Sequence, residues 1–104
     1  MIFLETSIFT RLVTEAMDDS SYQALQAVLA ENPAAGDMIR NSGGLRKIRW
    51  AASGRGKRGG SRVVYYWDFG NRILMVYLYT KNEQEDLTSA QLKAMRAVVE
   101  EYKK

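Results

Sequence analysis

Three cations on two neighbouring predicted strands are the first residues in this chain that could do chemistry. Lys47 and Arg49 lie two positions apart in LRKIRWA (45–51), where charged and apolar residues alternate as in a β-strand. On one strand face their Cα atoms would be about 6.5–7 Å apart, which lets two cations flank a phosphate group. Arg62 opens the next predicted strand, and antiparallel pairing could bring it to the same face. On pattern alone, a merely solvated sheet face is the favoured interpretation.

A loop of glycines and cations, SGRGKRGG (53–60), is a second candidate site for an anion. Glycine lets the backbone approach a ligand closely, and successive backbone N–H groups can bind anions. The order of residues is not that of a Walker A motif. A solvated hairpin loop explains the composition equally well.

The charge of the chain is strongly uneven. The net charge is +3, but residues 38–67 contain eight basic and no acidic residues, while the rest contains seven basic and twelve acidic residues. This polarity is typical of a protein that binds an anionic partner with one face. A basic surface without any partner is the open alternative.

Two missing residue types restrict the chemistry. The chain has no cysteine and no histidine, which excludes Cys–His nucleophiles, a Ser-His-Asp triad and the usual zinc sites. A carboxylate-bound Mg²⁺ is not excluded by composition. The absence of cysteine fits a reducing cytoplasm, and no apolar run or signal peptide indicates a membrane. We expect one domain over residues 1–104 in the cytoplasm, with no membrane partner.

The elements that must position these cations are predicted in the order β-α-α-β-β-β-α. Strands are expected at 1–5, 45–51, 61–67 and 72–80, with a further short strand near 37–40. The first helix is capped by Thr6 or Ser7 and the second starts at residues 18–20 and ends at Asn32-Pro33. Thr88 to Gln91 fits a capping box for the last helix. The fold class is therefore α+β, with a small antiparallel-rich sheet and the helices packed on one face.

Two groups of residues near the last strand have simpler interpretations. The strand aromatics, among them Tyr77 and Tyr79, could stack on bases but are expected mostly in the core. The acidic residues Glu83, Glu85 and Asp86 are interpreted as a solvated approach to the last helix.

Three segments resemble the HigB branch of the RelE toxin superfamily: GGLRKIR (43–49), GRGKRGGSRVVYY (54–66) and YTKNEQEDL (79–87). The resemblance covers almost the whole chain. It implies the RelE-like fold of a toxin in a type II toxin–antitoxin system. It also implies a ribosome-dependent endonuclease that cuts messenger RNA in the ribosomal A site, without metal or other cofactor. The 2′-hydroxyl would attack the adjacent phosphate and leave a cyclic phosphate and a 5′-hydroxyl.

The resemblance also implies partners and site residues. The partners are the ribosome with its RNA, messenger RNA, and a cognate antitoxin, expected to be a DNA-binding protein of the HigA type. Lys47 and Arg49 match the family's pair of strand cations, Arg62 matches the arginine that opens the next strand, and Lys81 lies near a further basic position. We expect these four to be catalytic. Residues expected to bind RNA or the ribosome are Arg46, Arg55, Lys57 and Arg58.

Within the site, Lys47 is the candidate base, because crowded cations lower the pKa of a lysine. Arg49 and Arg62 would stabilise charge on the phosphate, and Lys81 would assist the leaving 5′-oxygen. This chain lacks the histidines of some members, and Leu87 stands near a tyrosine position of others. Two other functions stay open: a toxin of this fold with another target, as the gyrase-poisoning ParE toxins have, and a basic binding module without catalysis.

Overall fold

The computed structural model describes residues 1–51 and 60–104 of the chain. The elements in this part are β1 (Ile2–Glu5), α1 (Ser7–Ala16), α2 (Asp19–Glu31), β2 (Asp37–Met38), β3 (Leu45–Trp50), β4 (Ser61–Trp67), β5 (Arg72–Thr80) and α3 (Ser89–Lys103). The predicted α+β class and element order are confirmed, and so is the short additional strand.

The strands form one mixed sheet in the order β1-β5-β4-β3-β2. In agreement with the predicted antiparallel-rich sheet, β3, β4 and β5 form an antiparallel meander, whereas β1 pairs in parallel with β5. The register of β4 and β5 shifts between Val64 and Tyr65, which pair with Tyr77 and Met75 and leave Val76 as the extra residue of a β-bulge. Because of this bulge, Tyr79 lies on the same face as Leu74, although simple alternation would separate them.

The helices cover both faces of the sheet, so the expectation that they share one face is wrong. Helices α1 and α2 bury Phe9, Val13, Leu25 and Leu29 against one face, with Val63, Tyr65, Ile73 and Met75 among the strand residues. Helix α3 buries Met95 and Val99 against the opposite face, with Leu45, Val64, Leu74 and Val76. The physical reason is that β4 and β5 carry adjacent apolar residues, so that neither of their faces can be left in water.

The helix starts are fixed by the residues that the sequence indicated. The Thr6 side chain accepts a hydrogen bond from the Phe9 backbone N–H at 3.1 Å, and Asp18 caps α2 in the same way through Ser21 at 2.9 Å. Thr88 and Gln91 form the predicted capping box of α3. None of the helices described is long and apolar enough to cross a membrane.

A buried tyrosine fastens the connection between α2 and the sheet edge. The Tyr65 hydroxyl donates to the Pro33 carbonyl at 2.7 Å and accepts from the Gly36 backbone N–H at 2.9 Å. Gly36 passes so close that a Cβ atom there would meet the Tyr65 ring and hydroxyl at 2.9 Å. This connection leads into β2, whose Asp37 pairs with Lys47, and so holds the outer part of the sheet in place.

Candidate functional site

The meander brings the three predicted cations to one face of the sheet. Arg49 and Arg62 are direct cross-strand partners, and Arg62 in turn pairs with Tyr79 of β5. Lys47 lies two residues before Arg49 and therefore on the same face. The shared face expected for Lys47, Arg49 and Arg62 is thus present, and their catalytic roles remain predictions.

These cations differ in how far they reach into solvent. Arg49 is exposed and Lys47 is partly buried, whereas Arg62 is only 8% exposed. Arginine is rarely buried to this extent, and a guanidinium in a partly desolvated site interacts more strongly with an anion than one in open water. The face therefore carries a buried cation from β4 beside more accessible cations from β3.

Lys47 has an acidic partner that the sequence interpretation did not give it. Its Nζ donates to Asp86 Oδ1 at 3.1 Å, and the Tyr79 hydroxyl lies 3.4 Å from the same oxygen. Asp86 Oδ1 also accepts a hydrogen bond from the Leu87 backbone N–H at 2.8 Å. One carboxylate oxygen thus meets an ammonium, a phenol and a backbone donor.

This contact reverses the expected protonation behaviour of Lys47. Burial lowers the pKa of Lys47, but the hydrogen bond and the charge of Asp86, together with Tyr79, outweigh it and raise the pKa above the ordinary lysine value. The expectation of a lowered lysine pKa is therefore wrong. Lys47 is held as an ammonium cation, which suits charge stabilisation better than proton abstraction.

The carboxylate and the phenol are also shifted. The hydrogen bond from the Leu87 N–H, followed by that from Lys47, lowers the pKa of Asp86 below its ordinary value. Burial raises the pKa of Tyr79, and the nearby charge of Lys47 opposes that rise. At neutral pH the trio is therefore an ammonium, a carboxylate and a neutral phenol.

Asp86 and Tyr79 are the two site residues that sequence reasoning missed. Asp86 was interpreted as part of a solvated acidic run, and nothing in local sequence distinguishes it from Glu83 or Glu85. Tyr79 was expected in the core, and its ring is indeed buried, but its hydroxyl reaches the site. The signal that finds them is tertiary: the bulge in β5 and the turn after it.

The remaining predicted residues are placed differently. Arg46 belongs to the opposite face of β3, where its guanidinium donates to the carbonyls of Ala34 at 3.3 Å and Gly36 at 2.8 Å. This contact supports a structural role, and RNA binding by Arg46 stays a prediction. Lys81 is exposed in the turn that follows β5. Arg55, Lys57 and Arg58 lie outside the described residues.

Two further findings bear on the site. Over the ranges 1–51 and 60–104, no group of three or more His, Cys, Asp or Glu residues is placed to hold a metal ion. In a comparison with known protein families, residues 2–104 match the family described as RelE toxin of the RelE/RelB toxin–antitoxin system.

Proposed function

Since the chain belongs to the RelE toxin family, we propose that this toxin is a ribosome-dependent endoribonuclease that cuts messenger RNA in the ribosomal A site. The proposal goes beyond the family itself, which identifies a toxin of a toxin–antitoxin system. It includes the narrower HigB type, to which the motifs of residues 43–66 and 79–87 point.

The observation that carries the proposal is the arrangement of Arg62, Arg49 and Lys47 on one face of the sheet. Two arginines and a lysine on one face give a local concentration of positive charge of the kind that binds a phosphate group. Arg62 supplies a fixed, permanently charged fork, and Arg49 can reach the same phosphate from the solvent side.

In the proposed reaction, the 2′-hydroxyl of a nucleotide gives up its proton to water, its oxygen attacks the adjacent phosphorus atom, and the bond from phosphorus to the 5′-oxygen breaks. The products are a 2′,3′-cyclic phosphate and a 5′-hydroxyl. Arg62, Arg49 and the Lys47 ammonium would stabilise the negative charge that grows on the phosphate oxygens. Lys81 is the candidate cation for the leaving 5′-oxygen, which gains a proton. The ribosome would contribute by holding the message in line for attack.

The family also implies a cognate antitoxin, and we propose that it is of the HigA type. Masking of the basic face, or of the surface that enters the ribosome, would neutralise the toxin. Co-expression with the adjacent gene product should give a stable complex and restore growth.

The decisive experiment is primer extension on a defined message with purified toxin, with and without programmed ribosomes. We expect cuts within translated codons that need ribosomes and that leave a 5′-hydroxyl.

Arg62→Ala should cut about 10²–10³-fold more slowly, the usual cost of one preorganised charge-stabilising contact. Arg11→Ala is the matched control, because it removes one exposed cation from α1 on the other side of the sheet. Efficient cutting of naked RNA, or an Arg62→Ala protein as active as the control, would contradict the proposal.

A further inference from the structure

The turn between β5 and α3 holds one carboxylate against the basic face. The Asp86 side chain is 70% exposed, yet its Oδ1 receives the Lys47 ammonium at 3.1 Å and the Leu87 backbone N–H at 2.8 Å. An exposed ion pair between two free side chains contributes little and is short-lived. Here the backbone contact fixes the carboxylate, so the geometry does not depend on the ion pair alone.

The turn itself is fastened to the first turn of α3 by a pair of amide side chains. Gln84 Nε2 donates to the Asp86 carbonyl at 2.7 Å and to Gln91 Oε1 at 2.8 Å. The Gln91 amide also accepts from the Thr88 backbone N–H at 3.0 Å, as part of the capping box, and approaches the Tyr77 hydroxyl at 3.3 Å. Asp86 is therefore tied through Gln84 and Gln91 to a helix start and to the sheet.

The surroundings of Lys47 show what this fastening achieves. Asp86 in the turn and Tyr79 on β5 contact Lys47 or its partner oxygen. The other charged residues around Lys47 are Arg62 on β4, Arg49 on β3, and Asp37 on β2, which is the cross-strand partner of Lys47. Lys47 shares its sheet face with the two arginines, and like charges on one face repel each other. Asp86 offsets that repulsion and gives the flexible lysine side chain one preferred position.

We propose that Asp86 is a positioning residue of the cleavage site, which holds the Lys47 ammonium beside Arg62 and Arg49 so that all three cations meet the same phosphate. Asp86 contacts Lys47 and not the reacting atoms. The Gln84–Gln91 pair holds Asp86 in turn. The inference rests on the proposed nuclease function and adds to it the residue that fixes the charge and place of Lys47.

The test compares Asp86→Asn with Asp86→Glu and with Glu85→Gln. Glu85→Gln is the matched control, because it makes the same change in net charge at the neighbouring exposed position. The first readout uses the free toxin: the Lys47 side chain is titrated by NMR of lysine labelled at Cε. We expect the pKa of Lys47 to fall in Asp86→Asn, and to be unchanged in Glu85→Gln.

The second readout is single-turnover cleavage on programmed ribosomes. Asp86→Asn should keep ribosome binding but lose about ten- to a hundredfold in maximal rate, the scale of a misplaced catalytic group. Asp86→Glu, which keeps the charge, should recover part of the rate.

The outcomes separate this proposal from the function on which it rests. If the parent cuts and Asp86→Asn cuts as fast as Glu85→Gln, or faster, the positioning role of Asp86 is wrong while the nuclease function stands. An unchanged Lys47 titration in Asp86→Asn would likewise overturn it. A parent protein that cuts no message would overturn the nuclease function and the role of Asp86 in it together.

Discussion

Arg49 and Arg62 lie directly opposite each other in the antiparallel pair of β3 and β4. Like charges in this position destabilise a sheet, because the side chains of cross-strand partners project from the same face at close range. Arg62 is buried and Arg49 is exposed, so the repulsion is only partly relieved by solvent. Two arginines on neighbouring strands of one face also provide the charge that a phosphate group binds.

Replacement of Arg49 should therefore make the protein more stable and less active at once. We expect Arg49→Thr to raise the free energy of unfolding by about 0.2–1 kcal/mol, since it removes the repulsion and introduces a good strand former. Urea denaturation at low salt measures the gain, which should shrink at high salt because the repulsion is screened. Cleavage on programmed ribosomes should fall. A variant that is both less stable and fully active would contradict this interpretation of the pair.

The role of Lys47 can be decided by comparing two substitutions. Because Asp86 keeps Lys47 protonated, Lys47→Arg retains the cation and a donor for Asp86, and should keep a much larger share of the cleavage rate than Lys47→Ala. The alanine variant should lose about 10²–10³-fold. If Lys47 were the base, both variants would fail alike, because arginine does not give up its proton at ordinary pH. Single-turnover rates, with ribosome binding measured separately, distinguish the two roles.

Much of the fold follows from local sequence, and the parts that do not have identifiable causes. Runs of β-branched and aromatic residues predict the boundaries of β4 and β5. Threonine before an apolar helical pattern predicts the caps Thr6 and Thr88. The covering of both sheet faces was missed, although adjacent apolar residues such as Val63 and Val64 are a signal for it.

The candidate site was predictable only in part, because some of its contacts depend on strand pairing and on residues far apart in the chain. Alternation along one strand places Lys47 and Arg49 together, and the antiparallel register adds Arg62. The bulge at Val76, which turns Tyr79 toward these cations, depends on the pairing of β4 with β5. The pairing of Lys47 with Asp86 spans 39 positions in the chain, and no local pattern encodes a contact of that separation.

The loop of residues 53–60 supplies a prediction that concerns binding more than chemistry. Arg55→Ala, Lys57→Ala and Arg58→Ala combined should weaken association with ribosomes and make it less sensitive to salt, because fewer counterions are released from RNA phosphates. The cleavage rate of the ribosome-bound fraction should change little. Co-sedimentation over a salt series measures the first effect. A control that removes three exposed cations elsewhere, at Arg11, Lys93 and Lys104, corrects for net charge. Equal co-sedimentation of the loop variant and the parent would contradict the assignment.

The buried hydroxyl of Tyr65 gives a prediction about stability that is independent of function. Tyr65→Phe keeps the ring in the core but leaves the Pro33 carbonyl and the Gly36 N–H without the partner that now lies 2.7 and 2.9 Å away. Leaving buried polar groups unsatisfied costs about 1–3 kcal/mol, so the urea midpoint should fall by a corresponding amount. Tyr22→Phe is the matched control, because the Tyr22 hydroxyl bonds Glu5 in a solvent-exposed position, where water can replace the lost contact.

The Tyr65 variant should also loosen the edge strand β2, since Gly36 leads directly into it. Amide hydrogen exchange of residues 36–38 should rise, with no matching change in α3. A Tyr65→Phe protein as stable as Tyr22→Phe would show that the connection before β2 is held by other contacts, with the Arg46 guanidinium on the carbonyls of Ala34 and Gly36 as the first to examine.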